Sequence, residues 1–115
     1  MAELSYDRDK NIDIISMKGT LDEDDFTTLQ QTISSLRQQG STKILWLGKE
    51  TEKIVTRNMG VLTGTIRIFR NMNGIIALAE FNERELRTLQ ETPWYKYLNV
   101  FKTETEAKAF LDPDD

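Results

Sequence analysis

Apolar positions along this chain change period several times, and each change marks an element. Between Leu4 and Lys18, residues Ile12, Ile14, Ile15 and Met17 supply β-branched and apolar content around the polar stretch DRDKN. That predicts two short strands, with the pattern broken at Gly19 in KGTLDEDD. From there the apolar residues fall at Phe26, Leu29, Ile33 and Leu36, the spacing of one helix face. Asp22 to Asp25 stand at its start, where carboxylates cap free N–H groups and complement the dipole. Gly40, in QQGS, stands where helices commonly end. KILWLG is a short apolar run bounded by turn-like residues and predicts a buried strand, followed by a polar loop, KETEK.

Beyond Thr56 the spacing is helical again, with Met59, Leu62, Ile66 and Phe69, and Asn73-Gly74 closes that stretch. IIALA predicts a further buried strand, and NERELRTLQ a shorter helix stopped before Pro93. LNVFK reads as a last strand, and TETEAKAFL as a last helix in which Thr103 and Glu106 fit a capping box. Only the tail DPDD, residues 112–115, is expected to fray. The order is β-β-α-β-α-β-α-β-α. Strands alternating with helices predict an α/β domain with a parallel or mixed sheet of four to five strands and about four helices. In such sheets, sites collect at strand carboxyl ends and the helix N-termini that follow. The loops around Asp22 and Thr56 belong to that class.

Composition narrows the chemistry. At 115 residues the chain is sized for a single domain, 1–115, that buries one core without disulfides or metals. There is no Cys and no His. Thiolate sites, thiol catalysis, and the commonest general base and transition-metal ligand are thereby removed. No enzyme, cofactor or metal is expected. No apolar run suggests a membrane span, and MAELSYDRDK lacks a signal-peptide core, so a cytoplasmic protein is the expectation. A net charge of −4 argues against nucleic acid. That charge is uneven: Lys53 to Ala79 contains no Asp or Glu but holds Lys53, Arg57, Arg67 and Arg70.

Four places could carry function. Thr56 reads either as a helix N-cap, its hydroxyl bonding the N–H of Asn58 or Met59, or as a phosphoacceptor at a helix N-terminus. Val61, Ile68 and Met72 form a second apolar stripe on the second helix. It is either buried between sheet and neighbour or exposed to bind a partner. DEDD reads as helix capping or as a cluster of oxygen ligands, although it lacks the glycine and spaced ligands of an EF-hand loop. Trp94, Tyr95 and Tyr97 read as a half-buried packing layer or as a ligand platform.

Over essentially its whole length the chain resembles STAS domains, the anti-sigma factor antagonist fold. Gly19, Leu21 and Asp22 fit a G-x-L-D turn before the first helix, and KILWLG fits the next strand. IVTRNMGVL fits the segment that often reads Asp-Ser-Ser-Gly-Leu-Gly in the family, and FKTETEAKAFL, including Ala107, fits the closing strand and helix. The resemblance implies a non-enzymatic module of bacterial partner switching. Such a module binds an anti-sigma kinase and is released when the hydroxyl before the second helix is phosphorylated. Thr56 falls on that phosphoacceptor position. Asp22, Arg57, Asn58, Val61 and Ile68 would face the partner. Val55, Leu47 and Gly48 stand where acids are usual, and Arg57 and Asn58 replace a hydroxyl and a glycine. Those departures suit a second reading: a STAS adaptor or sensory subunit of a membrane transport complex, without a phosphate cycle. A homodimer stays open under either.

Overall fold

The first hairpin forms where the β-branched residues cluster. In the computed structural model, which describes residues 1–113, β1 (Glu3–Asp9) and β2 (Ile12–Leu21) pair antiparallel from Glu3 with Lys18 to Asp9 with Ile12. Ile12 to Ile15 are consecutively buried, which alternation alone would not produce; a sheet covered on both faces explains it. One member of that run is polar. Asp13 is fully buried, its Oδ1 accepts from the Tyr6 hydroxyl, and Arg8 Nη1 lies 3.5 Å from the same oxygen.

The bond to the Asp13 carboxylate, helped by burial, raises the Tyr6 phenol above its ordinary pKa of 10.0. Because the folded value is the higher one, this contribution to stability is complete below about pH 10 and fades as pH rises through the folded value. In an ultraviolet titration of tyrosinate, one component should ionise above 10.0 and disappear in Tyr6→Phe. A titration in which the substitution removes only an ordinary component would refute the coupling.

Gly19 does not end β2. It takes φ +100°, open to glycine, and the pairing register shifts between Gly19 and Thr20. The strand then continues to Leu21 against β4 (Thr51–Ile54), a sixth strand where KETEK read as loop. Thr51 and Ile54 are the buried positions of β4, and the Thr51 hydroxyl donates to the Met17 carbonyl at 2.7 Å. β4 forms through this long-range pairing; its own sequence is polar.

The other strands are parallel. β3 (Lys43–Leu47) lies beside β2, β5 (Ile75–Ala79) beside β3, and β6 (Asn99–Phe101) beside β5, for a sheet order β1-β2-β3-β5-β6 with β4 on β2. α1 (Glu23–Gln38) and α2 (Leu62–Asn71) cover one face. Phe26, Leu29 and Ile33 of α1, with Leu62, Ile66 and Phe69 of α2, pack there on Ile15, Met17 and Trp46. α3 (Glu83–Gln90) adds Leu89 to the same core. α4 (Glu104–Leu111) covers the opposite face through Ala107 and Leu111, on Ile12, Ile14, Leu45 and Ala77. Gly40 takes φ +97° just past α1, as expected, and Thr103 Oγ1 accepts from the Glu106 N–H. The capping box at α4 is only half formed, because the Glu106 carboxylate accepts from the Thr103 hydroxyl instead of its backbone N–H. Of the expected frayed tail, 114–115 lie outside the described residues, while Asp112 sits 3.8 Å from Lys43. No helix among the described residues is long and apolar enough to cross a membrane.

Candidate functional site

β2 and β4 finish together, with Leu21 beside Ile54 and the Val55 N–H donating to the Leu21 carbonyl at 2.8 Å. This pairing brings the segments after both strands, Asp22 and Thr56, to one end of the sheet.

On the Asp22 side the carboxylates are engaged. Asp22 Oδ1 accepts from the N–H groups of Asp24 and Asp25, and Asp25 Oδ2 accepts from those of Asp22 and Ala2. The pair is a reciprocal capping box. The Met1 ammonium lies 3.1 Å from Asp22 Oδ2. Its hydrogen bond, supplemented by the Asp25 N–H, holds the Asp22 carboxyl below its usual range. Glu23 and Asp24 are exposed, and no group of three or more potential ligands among the described residues is arranged to hold a metal.

On the Thr56 side, the N-cap expectation is corrected. The Thr56 carbonyl, not its hydroxyl, accepts from the Met59 N–H, at 3.4 Å. Asn58 intervenes at φ +69°, a 3-10 turn spans Met59–Val61, and α2 starts after Val61 with no side-chain cap. The left-handed residue turns the chain, so Asn58 and Val61, not Thr56, hold the N-cap positions of the 3-10 turn and of α2. Thr56 is exposed, and its hydroxyl makes no hydrogen bond among the described residues.

Three long-range bonds hold this loop. Asn58 Nδ2 donates to the Glu23 carbonyl at 2.8 Å and to Thr27 Oγ1 at 3.1 Å, pinning the loop to α1. From the other side, Trp94 Nε1 donates to the Met59 carbonyl at 2.9 Å. Trp94 is wholly buried against Trp46, so the packing reading of the aromatic cluster holds for it; Tyr95 and Tyr97 are half-buried, and Arg70 stacks over the Tyr97 ring at 4.9 Å. Asn58→Gly keeps the left-handed backbone and loses only the side-chain bonds, so it should destabilise by about 1 kcal/mol. Asn58→Ala adds the left-handed strain, for about 2 kcal/mol in all. Urea unfolding checks both, and equal losses would mean that the backbone conformation contributes nothing.

Thr56 also lines a cleft of about 230 Å³ with Gly60, Thr88, Glu91, Thr92 and Pro93. An acid, Glu91, therefore lines the same cleft as Thr56, although Val55, Leu47 and Gly48 supply none. Glu91 comes from the end of α3, and no local sequence signal announces it.

The remaining candidates separate. Arg57 is exposed and has no ion-pair partner among the described residues. Val61 is half-buried on the main core, so it supports the loop from within. Ile68 and Met72 are 49% and 58% exposed, so the outer part of the second stripe faces solvent. Gly48 and Gly74 have packing reasons of their own: a Cβ would sit 2.4 Å from the Phe81 ring at Gly48 and 2.5 Å from the Phe69 ring at Gly74.

No family model and no curated protein matches the chain in sequence. Solved structures match its fold. A candidate anti-sigma factor antagonist from Thermotoga maritima superposes with TM-score 0.77 at 17% identity, covering 94% of this chain and 93% of that one. An anti-sigma factor antagonist from Mycobacterium paratuberculosis gives 0.75 at 12% identity, covering 96% and 94%. The anti-sigma factor antagonist SpoIIAA in its unphosphorylated form gives 0.70 at 17%, covering 96% of each chain. The Bacillus protein also has a solved phosphorylated form, with TM-score 0.69 at 19% identity and coverage of 94% and 98%. The fold is STAS-like.

Proposed function

We propose that this STAS-like domain is a regulatory protein–protein interaction module, without enzymatic activity, acting in the cytoplasm. Its contact surface comprises the Asp22 loop, the Val55–Asn58 segment and the outer face of α2, and Thr56 is its phosphoacceptor. One observation carries this reading: Thr56 is exposed and its hydroxyl is free of internal bonds among the described residues, on a loop bonded to α1 through Asn58 and to Trp94 through Met59. A kinase can reach it without unfolding anything. A phosphate there would bring nearly two negative charges beside Asp22 and Glu91 and into the proposed interface, where repulsion and desolvation oppose partner binding. Anti-sigma factor antagonists of the same fold, one of them solved in a phosphorylated form, support this reading.

The second reading, an adaptor or sensory subunit with no phosphate cycle, is favoured by Val55 and Arg57, which leave the loop short of acids. Phosphopeptide mass spectrometry on the protein from its own cells, with co-purifying chains identified, separates the two. Phosphate on Thr56 with a kinase-like partner is the expected result. An unmodified Thr56 across growth and stress conditions, with a different stable partner, would establish the adaptor.

A further inference from the structure

The outer face of α2 has a form that its own fold does not require. Gly60, Gly64, Ile68 and Met72 recur every four residues, so they lie along one side of the helical segment. All four are exposed. A Cβ at Gly60 or Gly64 would meet nothing within 4 Å, and neither residue has a positive φ. Glycine inside a helix is destabilising relative to alanine, and here no internal contact or backbone angle asks for it. What the two glycines provide is bare backbone, which a partner can approach closely, followed by a large apolar contact at Ile68 and Met72.

Charge names the partner's chemistry. Arg57 precedes the strip, Arg67 flanks Ile68, and Arg37 of α1 places its Nη1 3.8 Å from the Met72 sulfur. None of the three has a carboxylate partner among the described residues. The strip is therefore apolar and close-packing, with a cationic rim. We infer that α2 receives an acidic amphipathic helix of another protein, whose small or apolar seam lies on Gly64, Ile68 and Met72 and whose carboxylates reach Arg37, Arg57 and Arg67. An anionic membrane is the poorer match. The chain is net negative, the exposed acids Glu23 and Asp24 adjoin the Asn58 anchor, and bare helix backbone offers lipid nothing.

This inference rests on the interaction-module reading and specifies the partner, so its test uses defined probes. Two helical peptides share an Ala/Leu seam and differ only in flanks of Glu or of Lys. They are titrated into the labelled full chain and followed by amide and methyl resonances. The Glu peptide should shift Gly60, Gly64, Ile68 and Met72, and its affinity should fall about tenfold on raising salt from low to high. Arg67→Glu should cost about tenfold. Gly64→Ala should raise the melting temperature by a few degrees yet weaken the peptide several-fold, an opposition that a purely structural glycine would not show.

Equal binding of both peptides, shifts confined to another face, or no binding by either would overturn the inference. So would α2 shifts on concentrating the protein alone, which would make a second copy the occupant, or shifts produced only by phosphatidylglycerol vesicles. Each of these leaves the interaction-module reading to the identity of the co-purified partner. Conversely, Glu-peptide binding to a chain whose Thr56 is never modified would uphold the inference and remove the switch.

Discussion

Trp94→Ala is expected to destabilise the domain by about 3–5 kcal/mol, the range for emptying an aromatic from a core. Trp94 is wholly buried, its ring centroid lies 6.3 Å from that of Trp46, and its indole N–H holds the Met59 carbonyl. The substitution thus opens a cavity and also leaves a carbonyl without its donor, at the base of the loop that presents Thr56. Trp94→Phe separates these effects. It keeps most of the volume and removes the donor, and should cost about 1–3 kcal/mol. Urea unfolding gives the stabilities, and amide exchange at residues 56–60 reports the loop. If Trp94→Phe leaves both unchanged, the indole bond does not hold the loop.

Thr56→Glu should weaken binding of the native partner by about a hundredfold, because a fixed carboxylate inside an interface is repelled and poorly solvated. Thr56→Ala should bind within a few-fold of the parent. Stability adds a second discriminator. A capping hydroxyl would be worth about 1 kcal/mol, whereas the free hydroxyl found here predicts a change of at most about 0.5 kcal/mol in Thr56→Ala. Partner binding is read by calorimetry with the co-purified chain, and stability by urea melts. Two variants that both bind like the parent would remove phosphorylation as the regulator and leave the adaptor reading. A loss of about 1 kcal/mol in Thr56→Ala would mean that the hydroxyl caps the helix in solution.

Much of this molecule was legible in one dimension, because the signals are local. The Phe26–Leu36 spacing, the Asp22 cap and Gly40 together bounded α1, and the runs KILWLG and IIALA named two central strands. The absence of Cys and His, the acid-free stretch from Lys53 to Ala79 and the apolar excess of α2 were also present in the sequence alone. The order of elements predicted a mixed α/β sheet, and the motifs from Gly19, Leu21 and Asp22 to FKTETEAKAFL carried the resemblance to STAS domains, whose fold the solved structures match.

Tertiary structure decided what depends on residues far apart. β4 is a strand because the end of β2 lacked a neighbour on that side, not because KETEK prefers one. Whether Thr56 caps was settled by the turn at Asn58, which is anchored to Glu23, and by Met59, which is anchored to Trp94, each 35 residues away in sequence. The same long reach set Glu91 in the Thr56 cleft and determined which apolar stripe of α2 turned outward. Periodicity and caps report the bonds a segment makes with itself. Exposure and site geometry follow from which distant segment the sheet brings alongside.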